Sequence, residues 1–262
     1  MAPASLTILG SGSGMPGGGR ACSGYLIECQ DALTLLDCGS GVAASFQRCG
    51  YDLHKLDRIV ITHTHPDHVS DLPLLIQHMH LAGKTTPLDL YLPTEFVAVF
   101  GYMIRAMYII PERYEFALNI HGYEAGVLAE NPLRIEAIAN DHLKRYESDL
   151  RRYELQNQMQ SFSLRVAVED AIVFYSGDVA SFDELREHLG VCNICILETS
   201  HVGIAEIREF AIKHPETRIV LSHLSGENAA DILATEFGEL PNVQVAGDGK
   251  RIALTPSLPD TV

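Results

Sequence analysis

An α/β sandwich, with two facing mixed β-sheets between outer helices in αββα order, is the fold class this sequence predicts. Three observations predict it. The 262 residues are enough to bury one large core. Strand-like runs gather in two groups, one in each half, and helix-like runs follow each group. Loops bearing His and Asp come directly after several strand-like runs, which would place them together along one edge of the sandwich.

The elements follow in order. Runs 5–10, 23–29 and 32–37 read as a β meander. Between the first two lies Gly10-Ser11-Gly12-Ser13-Gly14. A dinucleotide fingerprint needs a helix to begin there, and Met15-Pro16-Gly17-Gly18-Gly19 is no helix start. The segment reads as a flexible loop bordering the functional site, with Arg20 as a candidate anion contact. Residues 41–49 read as a helix stopped by Gly50, and 58–62 as a strand. A helix over 69–82 is started by Ser70 and Asp71, tolerates Pro73 in its first turn and ends at Gly83. Residues 88–92 form a short strand. The run 94–110 is apolar on most faces but interrupted by Arg105, and it falls short of the ~20 apolar residues of a bilayer span. It reads as a buried helix or a homodimer contact. Strands near 113–120, 133–139, 161–168 and 171–175 open the second half. Helix 181–189, strand 191–198, helix 203–214, strand 217–222 and helix 226–237 follow. With no linker or repeat, residues 1–262 read as a single domain.

The net charge of −15 argues against broad phosphate-backbone binding. Lys144, Arg145, Arg151 and Arg152 form a local basic group, but Glu147, Asp149 and Glu154 are interleaved, the pattern of a solvated helix face. Six cysteines in a chain of this length do not make a disulfide framework. Cys192 and Cys195 sit in an apolar strand pattern and read as small buried hydrophobes. Met1-Ala2-Pro3-Ala4-Ser5 lacks the basic end of a secretory leader, so a cytoplasmic protein is expected.

The most informative stretch is His63-Thr64-His65-Pro66-Asp67-His68, which follows the strand-like Arg58-Ile59-Val60-Ile61-Thr62. In extended chain, side chains i and i+2 share a side, so His63 and His65 can grip one ion. Pro66 biases His65 towards an extended backbone and supports that pairing. Asp67 and His68 can then turn towards a second ion. Imidazole with carboxylate suits zinc, and also manganese or iron.

This pattern resembles the His-x-His-x-Asp-His signature of the metallo-β-lactamase superfamily. Leu6–Gly14, Arg20, Ser23–Ile27 and Leu35-Leu36-Asp37-Cys38-Gly39 resemble the opening of its ribonuclease Z and phosphodiesterase-like branch. Later motifs recur in order: Asn140-Asp141-His142, Ser176-Gly177-Asp178, Glu198-Thr199-Ser200 and Ser222-His223. The resemblance implies roles. His63, His65 and His142 would hold a first ion, Asp67, His68 and His223 a second, and Asp178 would bridge the two. Asp37 would orient a ligand histidine from behind. His201 is a candidate substrate contact or proton donor.

Two divalent ions would support metal-assisted hydrolysis through a bridging hydroxide fixed by Asp67 and Asp178, with no side-chain nucleophile. The branch points to phosphodiesters. Its tRNA-processing members carry a long arm between the third His motif and the Ser-Gly-Asp step, whereas here His142 and Asp178 are only 36 positions apart. Leu197 also stands where those members have a His. The expected substrate is therefore a small phosphodiester, such as a cyclic nucleotide, rather than tRNA. A lactone or thioester hydrolase, a ribonuclease on short RNA, and a non-catalytic metal-binding partner protein are the alternatives.

Overall fold

The structure, a computed structural model, describes residues 3–254. Met1, Ala2 and 255–262, on which parts of the leader and single-domain readings fall, lie outside the described residues. Two seven-stranded mixed sheets face each other. In the first, β1 (Ser5–Gly10), β2 (Gly24–Cys29) and β3 (Ala32–Leu36) form an antiparallel meander, with β14 (Arg251–Ala253) outside β1. The turn between β2 and β3 is Gln30-Asp31, both at positive φ (51° and 66°), the handedness that a two-residue hairpin requires. Strands β4 (Leu56–Val60), β5 (Leu88–Pro93) and β6 (Leu118–Tyr123) extend this sheet in parallel.

The second sheet repeats the plan. Strands β7 (Gly126–Ala129), β8 (Arg134–Ala139), β9 (Phe162–Val168) and β10 (Ala171–Tyr175) are antiparallel. Strands β11 (Ile194–Glu198), β12 (Arg218–Ser222) and β13 (Val243–Val245) then add in parallel. Parallel pairs need crossovers, and helices supply them. Helix α1 (Val42–Arg48), the short α2 (Pro66–Val69), α3 (Leu72–Leu81) and α4 (Val97–Ala106) belong to the first sheet. Helix α5 (Glu147–Arg152) lies between β8 and β9. Helices α6 (Arg186–Leu189), α7 (Ile204–Lys213) and α8 (Ala229–Phe237) serve the second sheet.

Strand alternation sorts the apolar side chains into three cores. Tyr25, Ile27, Leu164, Val166, Val173, Tyr175 and Ile196 meet between the sheets. Leu26, Leu35, Ile59 and Leu90 point outwards under α1, α3 and α4, and Phe174, Leu197, Ile219 and Leu221 do so under α6, α7 and α8. The result is the predicted αββα layering. Leu164, wholly buried between the sheets, tests the inter-sheet core. Leu164→Ala is expected to lower unfolding free energy by about 2–5 kcal/mol, measured by urea denaturation.

Several expectations need correction. The apolar run 94–110 contains a ten-residue helix, Val97–Ala106, that buries only Phe100 and Ile104. Val99, Tyr102, Met107 and Tyr108 are exposed, so this is a surface helix with one inward stripe rather than a buried one. The strand expected at 113–120 begins at Leu118, after a single 3₁₀ turn over Pro111–Arg113. The helix expected over 69–82 is α3, Leu72–Leu81, with Val69 closing the separate turn α2 before it. Asp71 precedes α3 without capping it; its carboxylate instead accepts from the amides of Gly41 and Ala43 at the start of α1. The expected helix 181–189 is a 3₁₀ turn followed by the four-residue α6. Strands β7, β13 and β14 span only three or four residues, too few to show a periodicity; they are held as edges by their neighbours. No helix among the described residues is long and apolar enough to cross a membrane.

Candidate metal centre

Every candidate ligand leaves the carboxyl end of a strand or the loop just beyond it. That is where crossover chains of a parallel segment turn and side chains from different strands can converge. His63 lies beyond β4, His142 beyond β8, Asp178 beyond β10 and His223 beyond β12. His65 is extended (φ −61°, ψ 144°), as a residue before proline should be, and Pro66 occupies the first turn of α2. This one helical turn swings Asp67 and His68 away from His63 and His65. Its carbonyl at Asp67 lies so close to Gly39 that a Cβ there would sit 2.0 Å from it, so the chain needs glycine at that crossing. Gly177 adopts φ +55°, which turns the chain after β10 and delivers Asp178 to the pocket.

The structure brings the seven candidates together as two adjoining groups: His63, His65, His142 and Asp178; and Asp67, His68, Asp178 and His223. Within each group the ligand atoms lie within 4.8 Å of one another. The two oxygens of Asp178 divide between the groups. Oδ2 is 3.9 Å from His63 Nε2 and 3.6 Å from His142 Nε2. Oδ1 is 3.3 Å from His68 Nε2 and 3.3 Å from His223 Nε2. His223 Nε2 is also 3.2 Å from Asp67 Oδ2. Ligand atoms 2.0–2.1 Å from a shared ion at tetrahedral angles stand about 3.4 Å apart, and these separations scatter around that value.

Hydrogen bonding supplies an independent check of whether the residues fit metal ions. His63 Nε2, His68 Nε2 and Asp178 Oδ1, which face the two groups, are buried side-chain atoms with no hydrogen-bond partner. Each such orphan costs about 1–3 kcal/mol. Burying three so close together is unfavourable unless another group engages them, and divalent cations in the two groups would do so. Charge states agree for the first group. Burial pushes His63 well down, lowers His65, and takes His142 to about 3, with Arg145 and neighbouring histidines adding to the shift. These are neutral imidazoles, the form that binds metal. In the second group burial opposes charge, but the carboxylates of Asp178 and Asp37 hold His68 well above its ordinary value. Asp178 is in turn held well below the carboxylate range: burial would raise it, and His68 and His223 outweigh that. A metal held by the second group would need His68 as the neutral imidazole.

Asp37 stands behind this group. Buried and at φ +60°, it accepts from Thr62 N (2.7 Å), Thr62 Oγ1 (2.9 Å) and Tyr175 OH (2.7 Å), and pairs with His68 Nδ1 (2.7 Å). That last contact turns His68 Nε2 towards Asp178. His201 is half-buried with Nδ1 3.1 Å from Glu198 Oε1 and 3.8 Å from Asp178 Oδ2. Hydrogen bonding to Glu198 raises it, against burial. The pocket over the site is about 300 Å³ and is lined by His65, Asp67, Asp178, His201, His223 and Arg145, with Ser13, Ser200 and Ser225 on one wall.

Two expectations fail here. Arg20 does not line the metal pocket: its Nη1 donates to the carbonyls of Pro16, Gly17 and Gly226 and ties the glycine loop to the loop after β12. The basic group near 144–152 is not uniformly a solvated face. Lys144 pairs with Asp141 and Arg151 with Glu147 at the surface, but Arg145 reaches into the pocket, its Nη2 3.1 Å from His142 Nε2. The i,i+3 spacing from His142 carries the signal for this, since such residues share a helical face.

Known proteins with similar sequence and structure agree with this construction. The family model for the Anti-Pycsar protein Apyc1 matches residues 4–202. Ribonuclease Z of Methanothermobacter thermautotrophicus is 29% identical over 138 residues, which are 52% of this chain and 44% of that protein. The chain thus matches less than half the length of this curated relative. Among solved structures, the metallo-β-lactamase fold protein YhfI from Bacillus subtilis superposes with a TM-score of 0.73 at 21% identity, covering 96% of this chain and 100% of YhfI. The short form of human tRNase Z gives 0.69 at 18% identity, covering 96% and 99%. The chain has the metallo-β-lactamase fold and belongs to the family of the Anti-Pycsar protein Apyc1.

Proposed function

We propose that this chain is a two-metal phosphodiesterase whose substrate is a small phosphodiester such as a cyclic nucleotide. The carrying observation is Asp178, whose two oxygens face two separate ligand groups at the floor of a 300 Å³ pocket. Zinc suits the donor set best, with manganese or iron as substitutes. His63, His65 and His142 would hold one ion, Asp67, His68 and His223 the other, and Asp178 both. Bound there, the ions would activate water at neutral pH and polarise a phosphoryl oxygen.

The chain's own residues supply the rest. Asp67 and Asp178 place negative charge where a water proton must be held. His201, steadied by Glu198, offers its remaining nitrogen to the pocket and protonates the leaving alkoxide. A small substrate is favoured over tRNA because the chain between His142 and Asp178 folds into one short helix and two sheet strands, with no projecting arm. The same reading treats the chain as one catalytic domain.

The direct test is turnover of bis(p-nitrophenyl) phosphate by protein loaded with zinc or manganese, beside a lactone and a phosphomonoester. Preferential diester cleavage, then cleavage of cyclic nucleotides, is expected. Preference for the lactone would transfer the site to carbonyl substrates. His201→Ala is expected to keep both ions while kcat falls about 10²-fold. The loss should be greater for an alkoxide leaving group than for p-nitrophenolate, which needs no proton; equal losses for both would remove His201 as the donor.

A further inference from the structure

The turn that follows His142 carries more than a ligand. Arg145 is the one arginine or lysine lining the metal pocket. Among the described residues it has no carboxylate partner, although its neighbours Lys144 and Arg151 both do. Its guanidinium lies over the ring of Tyr146, 5.4 Å from the centroid, and beside His142. It is thus an exposed cation without a carboxylate partner, one of its nitrogens held at His142, at the mouth of a site built of carboxylates and imidazoles. Guanidinium geometry matches paired phosphoryl oxygens.

A second recess, of about 130 Å³, opens on the other side of His65. Leu143, Tyr146, Leu150 and Met159 give it apolar walls, and Thr64 and Asn157 give it polar edges. Tyr146 meets the His65 ring edge-on at 5.7 Å, so the recess and the metal pocket share that histidine as their partition. The far wall is preformed. Glu95 accepts from the amides of Gln158 and Gln160 (2.7 Å for the latter), and Gln160 Oε1 accepts from Glu95 N (2.9 Å). Apolar cavities of about 150 Å³ take one benzene ring, so this volume, open on one side, suits the face of a flat ring.

We infer that residues 142–150 read the substrate at two points: Arg145 grips a non-bridging phosphoryl oxygen, and the recess beside Tyr146 receives a flat organic group esterified to the same phosphorus. The inference rests on the phosphodiesterase reading above. It makes Arg145 and the recess specificity determinants, outside the set of metal ligands. It also explains why a helical turn follows His142: three residues on, that turn places a cation over the pocket, and one more residue places an aromatic wall beside it.

The test compares bis(p-nitrophenyl) phosphate with methyl p-nitrophenyl phosphate, which share a leaving group and differ in the retained arm. Leu150→Trp, which fills the recess, is expected to cut the ratio of kcat/KM values (bis over methyl) about tenfold, since only the bis ester retains an aryl arm for the recess. Arg145→Ala is expected to raise KM for both esters about tenfold or more at unchanged metal content, with partial recovery in Arg145→Lys. Binding is read separately. The chain has no tryptophan, so Tyr146→Trp introduces one emitter in the recess wall. In the zinc-loaded protein, the product p-nitrophenyl phosphate should quench it, and inorganic phosphate, lacking the ring, should not. An unchanged ratio in Leu150→Trp, an unchanged KM in Arg145→Ala, or no quenching overturns the inference and leaves the phosphodiesterase reading standing. Absence of diester turnover by wild-type protein with both ions bound sinks that reading and the inference with it.

Discussion

Asp178→Ala is expected to lose both ions and essentially all turnover while the sandwich stays folded. The reason lies in the division of its carboxylate. Oδ2 faces His63 and His142, Oδ1 faces His68 and His223, and no other residue belongs to both groups. Removing it takes a ligand from each site and also the negative charge that holds the two sites close. A fall in kcat/KM of at least about 10³-fold is expected, about 4 kcal/mol at 1.36 kcal/mol per tenfold. Asp67→Ala is the comparison, because Asp67 faces only the second group; it should also abolish turnover but retain part of the metal content. Metal analysis after gel filtration, with circular dichroism for the fold, reads both. Two bound ions and turnover within about tenfold of wild type in Asp178→Ala would remove that residue from the centre.

The residues carrying this prediction differ in how plainly the sequence shows them. His63 to His68 are legible because one strand end and one proline determine their geometry locally: extended chain puts His63 and His65 on one side, and Pro66 starts the turn that diverts Asp67 and His68. Asp178 and His223 are ordinary polar residues after apolar strands, and only their order along the chain marks them. What could not be read was set by partners far away in sequence. Asp71 looks like the cap of its own helix and instead caps α1, because α1 and α3 pack side by side. Arg20 looks free and is bound by three carbonyls across two loops. Arg145 reads as surface because its neighbours alternate in charge; it is exposed, yet the tight turn after His142 brings its guanidinium to the pocket mouth. The exposed side of α4 is not legible in the sequence because an apolar run fixes which residues can be buried but leaves open how much of the helix a neighbouring sheet covers.

The two halves also explain why the site is where it is. Each sheet begins as a meander and continues as parallel strands. Parallel strands need crossovers, whose loops gather at the carboxyl ends, and the long connection 140–161 between the antiparallel β8 and β9 opens at the same edge and carries His142. Facing the two sheets brings the loop after β4 opposite those after β8, β10 and β12. The chemistry is thus assembled from both halves and depends on the inter-sheet core holding their register.

Asp37 is where that dependence is most concentrated, and it carries the second large prediction. It accepts two bonds from Thr62 beside β4, one from Tyr175 on β10 of the opposite sheet, and engages His68 Nδ1. Asp37→Ala orphans these buried groups, and breaking such a buried network costs about 3–5 kcal/mol. Alanine adds a further penalty of about 1–2 kcal/mol at the left-handed φ of +60°, which Asp and Asn tolerate better. A fall in Tm on the order of 10 °C is expected, at about 2–4 °C per kcal/mol for a chain near this size. Asp37→Asn separates the two roles of the residue. Its amide oxygen still accepts from Thr62 N, its amide nitrogen can donate to the hydroxyls of Thr62 and Tyr175 once they rotate, and Asn suits the backbone, so Tm should fall less than in the alanine variant. It cannot present a carboxylate to His68, so metal affinity should drop about 10–100-fold, as is usual when the partner behind a ligating histidine is altered. Zinc titration against a competing chelator measures this. An Asp37→Asn protein with wild-type affinity would confine Asp37 to the fold; one with weakened affinity and near-wild-type Tm would show that the bond to His68 tunes the centre itself.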